Sequence, residues 1–194
     1  PYTTLFRSVD FGLYQGGRVA EELNRTSAGV PRSGLDAVIL THGHLDHTGR
    51  LPLLAQYGYA GPIYSTAATV EMAALILRDS AKLHAQEAER VNRKRQRIGE
   101  EAVEPLYTVE QAEAVIGQMS AVEYQRPVPV APGVKAIWAE AGHMLGSASI
   151  QMEIAEGSET RRVVFSGDLG PKGAPILRDF EPFQRADAVF LEST

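Results

Sequence analysis

The chain has 194 residues, of which 44 % are hydrophobic and 22 % are charged, as is usual for one globular domain with its own core. Its net charge of −5 gives no general attraction to nucleic acid, so contact with nucleic acid would need a local patch or protein outside this chain. There is no cysteine, no apolar run of membrane-spanning length and no secretory signal pattern. Disulfides and thiolate ligands are therefore excluded, and a cytoplasmic location is expected.

The first part of the chain alternates between strand and helix signals. Residues 37–40, AVIL, form a continuous apolar run that is typical of a strand buried on both faces. Thr48 is expected to cap a short helix that contains Pro52 and ends before Gly58. Residues 62–64 predict a second strand.

The rest of the chain continues this mixture. Residues 63–98 lack glycine and proline, which predicts one long helix or a broken pair, and residues 108–111 fit a capping box. Residues 150–154 alternate as in a half-solvated strand, whereas 163–165 and 188–191 are apolar strand candidates. Mixed strands and helices predict an α/β layered fold.

The hexapeptide HGHLDH at residues 42–47 directly follows the first apolar run. Three imidazoles and one carboxylate lie within six residues, and Gly43 allows a tight turn that lets alternate side chains face one space. Such ligands suit zinc, and with oxygen donors also manganese or iron. The alternative is an ordinary solvated loop. It is disfavoured because four of the five histidines of the chain fall in the expected site.

This hexapeptide, placed after an apolar strand, resembles the signature of the metallo-β-lactamase superfamily. Three other strings, one before the hexapeptide and two after it, follow the order of that family's motifs. They are AGHMLGS with His143, SGDLG with Asp168, and VDFGLYQG with Asp10. Singly, each string is compatible with a core histidine or an ordinary turn, so their shared order carries the resemblance.

A finer resemblance is to the β-CASP nucleases, specifically the bacterial relatives of the cleavage and polyadenylation specificity factor endonuclease. The strings GLYQGG after Asp10, GHMLGSA, and LEST at residues 191–194 carry it, with Glu192 as the acidic residue of motif A. The match covers residues 9–194. It implies a partial αββα sandwich of the metallo-β-lactamase type.

The resemblance also implies domain bounds. Residues 1–8, PYTTLFRS, resemble the translation of a sequencing adapter and are set aside as an expected artefact. Residues 9–194 are then expected to be the N-terminal part of a metallo-β-lactamase domain, truncated before the β-CASP insertion. The histidines of motifs B and C are expected downstream, so we expect this chain alone to be inactive.

The implied cofactors are two zinc ions, with manganese or iron as alternatives. The resemblance implies one ion on His42, His44 and His143, the other on Asp46 and His47, and Asp168 as the bridge. A hydroxide activated by both metals would attack a phosphodiester, and Asp46 would orient or deprotonate the attacking water. Glu192 would polarise the motif B histidine, and Asp10 would steady the metal loop.

The main hypothesis is thus a zinc-dependent ribonuclease with RNA as its substrate. One alternative is a thioester or lactone hydrolase of the same fold. Another is a scaffold subunit without metal, which is disfavoured because the hexapeptide is intact. The choice between endonuclease and exonuclease, the use of DNA and the formation of a homodimer stay open.

Three further features are given structural interpretations. A basic cluster is expected to be a solvated helix face, with contact to an RNA backbone as the minority hypothesis. The cluster consists of Arg90, Arg93, Lys94, Arg95 and Arg97. His84 is taken as an ordinary helix residue, and Trp138 as part of the core.

Overall fold

The computed structural model describes residues 6–26 and 34–193. The strands are β1 (Phe6–Val9), β2 (Leu35–Ile39), β3 (Ile63–Thr66), β4 (Met119–Val122), β5 (Val128–Ala131), β6 (Val134–Glu140), β7 (Ala148–Glu156), β8 (Glu159–Phe165) and β9 (Ala188–Phe190). The helices are α1 (Arg18–Asn24), α2 (Leu45–Thr48), α3 (Leu51–Gln56), α4 (Ala67–Arg97) and α5 (Val109–Ile116). No helix within these described ranges is both long and apolar enough to cross a membrane.

The strands form two sheets. The first has the order β1-β2-β3-β4 with every pair parallel, and the second has the order β5-β6-β7-β8-β9. In the second sheet, β5 to β8 pair antiparallel and β9 adds in parallel to β8. Parallel strands need crossover connections, and the long stretch between β3 and β4 supplies one in α4 and α5.

Strand β2 lies in the middle layer and is buried on both faces. Val38 and Leu40 join one core with Leu77 of α4, whereas Ile39 joins a second core with Trp138 of β6. The order of layers is therefore helices, first sheet, second sheet. This arrangement explains why the run at 37–40 is continuously apolar, and it confirms both the α/β layered fold and the core position of Trp138.

Helix α4 is one uninterrupted helix of 31 residues, which decides between the two predicted alternatives. The Thr66 hydroxyl caps its start by accepting a hydrogen bond from the Thr69 backbone N–H. The capping box predicted at residues 108–111 is confirmed at the start of α5, where Thr108 and Gln111 exchange both bonds.

The predicted cap at Thr48 is wrong. Thr48 is the last residue of α2, and its hydroxyl donates back to the carbonyls of Gly43 and His44. Helix α3 instead follows Arg50, which makes no side-chain capping bond within the described part of the chain. Local sequence could not separate the two uses of a threonine hydroxyl, because both satisfy backbone groups at a helix end.

Two further predictions concern the chain ends. The strand predicted at 188–191 is present as β9, but its side chains are exposed. Residues 6–8, part of the segment set aside as an adapter artefact, lie in β1 beside β2, and residues 1–5 lie outside the described residues. The origin of residues 1–8 and the domain bounds stay predictions.

Candidate metal centre

The hexapeptide at residues 42–47 leaves the end of β2 and turns into α2. Its backbone is held by the segment that follows β1, because Phe11 N–H donates to the His47 carbonyl and Leu13 N–H to the Leu45 carbonyl. Gly12 packs so tightly on the Asp46 carbonyl that a Cβ there would lie 1.5 Å from its oxygen. The segment around Asp10 therefore fixes the shape of the histidine loop.

Three imidazoles meet at one point. His44 Nδ1 lies 3.1 Å from His42 Nε2 and 3.2 Å from His143 Nε2. Neighbouring nitrogens on a tetrahedral zinc lie about 3.3 Å apart, given zinc–nitrogen bonds of about 2.0–2.1 Å. The observed spacing is thus close to the edge of a zinc coordination tetrahedron, although His143 lies 99 residues from His44.

The carboxylate of Asp168 faces this trio and a fourth histidine at once. Its Oδ2 lies 3.5 Å from His143 Nε2 and 3.9 Å from His42 Nε2, while its Oδ1 lies 3.5 Å from His47 Nε2. Oδ1 is buried and has no hydrogen-bond partner within the described chain. A buried carboxylate oxygen without a donor is costly, and a cation there would satisfy it.

Hydrogen bonds at Nδ1 fix the tautomers of two of these histidines. His47 Nδ1 lies 2.7 Å from Asp10 Oδ2, and His42 Nδ1 lies 3.0 Å from Thr41 Oγ1. The Thr41 hydroxyl in turn donates to Asp10 Oδ2, so the His42 ring N–H donates to Thr41. In its neutral form each ring thereby directs an unprotonated Nε2 towards Asp168, as metal ligation requires.

Electrostatics differ between the two halves of the site. Burial, followed by the charges of three neighbouring histidines, lowers the pKa of His42 to about 2. Burial also lowers the pKa of His143 and outweighs the attraction of Asp168. At His47 burial acts in the same direction, but the hydrogen bond to Asp10 and the nearby carboxylates outweigh it and raise its pKa.

Two groups of side chains could each hold a metal ion. The first comprises His42, His44, His143 and Asp168, and the second comprises His47, Asp168 and Glu192. Within each group the ligand atoms lie within 4.8 Å of one another. Imidazole nitrogens with carboxylate oxygens suit zinc, and the shared Asp168 suits a pair of cations. The residues present therefore fit a dinuclear centre.

The structure does not test the roles predicted for Asp46 and Glu192, but it shows where both residues lie. Asp46 is exposed and belongs to neither group within the described residues, although its charge contributes to raising the pKa of His47. Glu192, which is predicted to act on a downstream histidine, lies beside His47 and Asp168. Its backbone N–H donates to the Ser166 hydroxyl, which fixes the start of the LEST segment against the Asp168 loop.

Thr41 also belongs to this site, although the sequence did not predict it. Its backbone N–H and hydroxyl both donate to Asp10, its hydroxyl accepts from His42, and its side chain packs on Gly167 beside Asp168. Gly167 has a φ of 54°, and a Cβ there would lie 2.8 Å from the Cβ of Thr41. The position immediately before the hexapeptide was the only sequence signal.

The other features lie away from this centre. The basic cluster lies at the end of α4 opposite to Thr66, about 35–45 Å along the helix at 1.5 Å per residue. Arg90 pairs there with Glu87, and Arg95 with Glu100, as on a solvated face. His84 packs edge-on against Tyr107.

Two curated proteins align with almost the whole chain. Ribonuclease TTHA0252 of Thermus thermophilus is 34 % identical over 186 residues, which cover 96 % of this chain and 37 % of the ribonuclease. Transcription termination factor FttA of Cenarchaeum symbiosum is 37 % identical over 190 residues, covering 96 % of this chain and 27 % of the factor. The chain thus spans about a third of the length of these relatives.

Among solved structures, a metallo-β-lactamase of Cronobacter sakazakii with a HARLDQ motif aligns with 86 % of this chain and 50 % of its own, at 16 % identity and a TM-score of 0.47. The family model of the metallo-β-lactamase superfamily matches residues 9–193, which include the hexapeptide and the strings with Asp10, His143 and Asp168. The chain belongs to the metallo-β-lactamase superfamily.

Proposed function

We propose that this chain carries the metal centre of an RNA-cleaving hydrolase of the β-CASP branch. The observation that carries the proposal is the position of Asp168, whose two oxygens face the three-histidine group and His47 respectively. A carboxylate shared in this way is suited to hold two cations side by side. Two-metal sites are typical of enzymes that cleave phosphodiesters.

The relatives support RNA as the substrate. One is named a ribonuclease and the other a transcription termination factor, and each aligns with 96 % of this chain. The chain spans only 37 % and 27 % of the length of these two relatives. The activity of the whole protein is therefore inferred from its metal-binding part. An RNA-processing role also favours the cytoplasm.

The proposed assignment of ligands follows the two groups. His42, His44 and His143 would hold the first cation, His47 the second, and Asp168 both. Bound zinc would supply Lewis acidity at neutral pH and neutralise charge on a phosphodiester oxygen. Manganese or iron would fit the same nitrogen and oxygen donors.

The remaining polar residues would prepare this site. Asp10 orients the His47 ring by accepting its Nδ1–H, and Thr41 orients His42 in the same way. Asp46 is exposed at the start of α2, where its carboxylate could accept a proton from water that enters the site. Glu192 has two candidate roles, namely metal ligation beside His47 and the polarisation of a downstream histidine.

The test combines metal analysis with RNA cleavage. The 194-residue chain is measured for bound zinc, and the polypeptide extended by its own downstream sequence is assayed with labelled single-stranded RNA and with a thioester. We expect about two metals per extended chain and cleavage of RNA but not of the thioester. His44→Ala and Asp168→Ala should each abolish cleavage while the circular dichroism spectrum stays unchanged.

Three outcomes of this test would argue against the proposal. Full RNA cleavage by a double variant of His44 and Asp168 would reject the mechanism, and thioester cleavage in place of RNA cleavage would favour the small-molecule alternative. A metal-free wild-type chain would reject the centre itself.

A further inference from the structure

The loop that carries His143 is held by two threonines of a distant segment. The Gly146 carbonyl accepts hydrogen bonds from Thr66 Oγ1 at 2.6 Å and from Thr69 Oγ1 at 2.8 Å. Both threonines are buried, at 3 % and 0 % exposure. A carbonyl oxygen has two lone pairs, so these hydroxyls satisfy its full accepting capacity.

The approach between the loop and the helix is as close as a backbone allows. Gly146 has a φ of 85°, and a Cβ there would lie 2.5 Å from the Thr69 backbone nitrogen. Only glycine fits this conformation and this contact. The loop therefore rests on the first turn of α4 with no side chain between them.

The constraint passes from Gly146 to His143 through one residue. The residue after Gly146 is Ser147, and its Oγ accepts hydrogen bonds from the backbone N–H groups of His143 at 3.0 Å and Met144 at 3.2 Å. Ser147 N–H also donates to the Met144 carbonyl, closing the turn. A shift of the Gly146 carbonyl would thus move the backbone that presents the His143 ring.

The same helix also contacts the other histidine loop. A Cβ at Gly43 would lie 3.2 Å from the Cβ of Met72 and 3.4 Å from the Ala73 nitrogen, one turn further along α4. The first two turns of α4 therefore touch the backbone of both loops that supply the three-histidine group. A helix held against α5 and β4 is a rigid reference for both.

We propose that Thr66 and Thr69 are positioning residues that hold the Gly146 carbonyl and so set the distance between His143 and His44. The inference rests on the metal centre proposed above. Neither threonine touches a reacting atom. Their role is to keep three nitrogens at metal-binding spacing before a cation arrives, which reduces the cost of ordering the loop on binding.

The test replaces the hydroxyl without changing the shape of the side chain. Thr69→Val removes one donor to Gly146, and Thr69→Ser restores it. In the 194-residue chain we expect Thr69→Val to weaken binding of the first Co²⁺ equivalent by roughly tenfold or more, as loss of outer contacts to metal ligands does. The visible absorption of bound Co²⁺ reports the affinity, and Thr69→Ser should recover it.

A second readout does not involve metal. Amide hydrogen exchange in the metal-free chain should become faster at His143, Met144 and Ser147 in Thr69→Val, while the amides of α5 stay unchanged. Thr108→Val is the matched control, because it removes a capping threonine from α5, which packs on α3 and α4. This control should lower stability but leave Co²⁺ affinity unchanged.

The outcomes separate the two proposals. Wild-type Co²⁺ affinity and exchange rates in Thr69→Val would overturn the positioning role while leaving the metal centre intact. Equal weakening in Thr69→Val and Thr108→Val would also overturn it, since stability alone would then explain the effect. A wild-type chain that binds no Co²⁺ would reject the metal centre and, with it, the role of the threonines.

Discussion

Asp10 Oδ2 accepts a hydrogen bond from His47 Nδ1 at 2.7 Å, across 37 residues of sequence. The same carboxylate accepts from the Thr41 backbone N–H and from the Thr41 hydroxyl. Asp10 itself has a φ of 59°, a left-handed conformation that aspartate and asparagine tolerate better than most residues. One carboxylate thus aligns His47 directly and His42 through Thr41.

Asp10→Asn should weaken the binding of the second cation by roughly 10–100-fold. Asparagine keeps the left-handed backbone, but its amide cannot accept all three hydrogen bonds that the carboxylate accepts. The His47 ring then loses the partner that fixes its tautomer. Co²⁺ titration measures the effect, and an unchanged second equivalent would contradict the role of Asp10.

The two cations should leave the site at different pH values. The pKa of His47 is raised above the ordinary 6.5, whereas the pKa of His42 is lowered to about 2 and that of His143 is lowered. Since a protonated imidazole cannot bind metal, acidification should release the cation on His47 first. Metal content after dialysis over a pH series checks the order, and simultaneous release would contradict it.

In the metal-free chain, the raised pKa of His47 affects folding stability, and here protonation of His47 is favourable. A pKa raised by folding stabilises the fold fully below the unfolded value of 6.5, and this contribution is lost as pH rises through the pKa of folded His47. The lowered pKa values of His42 and His143 change stability in the opposite direction near pH 6.5, so the His47 contribution must be measured as a difference. Urea unfolding in chelator should show that the stability difference between the wild type and Asp10→Asn shrinks as pH rises through this window, because Asp10 makes the main contribution that raises the pKa of His47.

Asp168→Asn should weaken both cations, whereas His143→Ala should weaken chiefly the first. The reason is that Asp168 faces both groups and His143 faces one. Zinc content and Co²⁺ titration separate the two cases. Asp179→Asn, an exposed carboxylate in the loop after Asp168, is the control and should bind as the wild type does.

Gly170→Ala should destabilise the fold by about 1–3 kcal/mol, as overpacking does. A Cβ at Gly170 would lie 1.7 Å from the carbonyl oxygen of Gly142, so the loops of Asp168 and His143 would have to separate. Urea unfolding in chelator measures the loss. Gly117→Ala is the control, because Gly117 has an ordinary φ of −64° and a Cβ there would make an ordinary contact of 3.4 Å. Equal losses of stability in the two variants would contradict the close approach of the Asp168 and His143 loops.

Local signals sufficed for the elements whose ends are marked by side chains. The capping box at Thr108 specifies the start of α5 because both of its partners lie within four residues. The absence of glycine and proline predicted α4 but not its unbroken form, which depends on packing against α5 and β4. Thr48 was misassigned because its hydroxyl has two local uses of similar energy.

The sequence by itself determined which side chains can ligate metal, because imidazoles and carboxylates are concentrated in residues 42–47 and recur in the family's order at His143 and Asp168. Only the tertiary structure decided their mutual distances. His143 reaches His44, and Asp168 reaches His47, through loops packed on α4 and on Thr41, and such contacts between distant segments leave no local pattern. Spacing along the chain determines only which residues are neighbours within one turn. The distances of 3.1–3.2 Å between the ring nitrogens of His42, His44 and His143 are set by the packing of the layers.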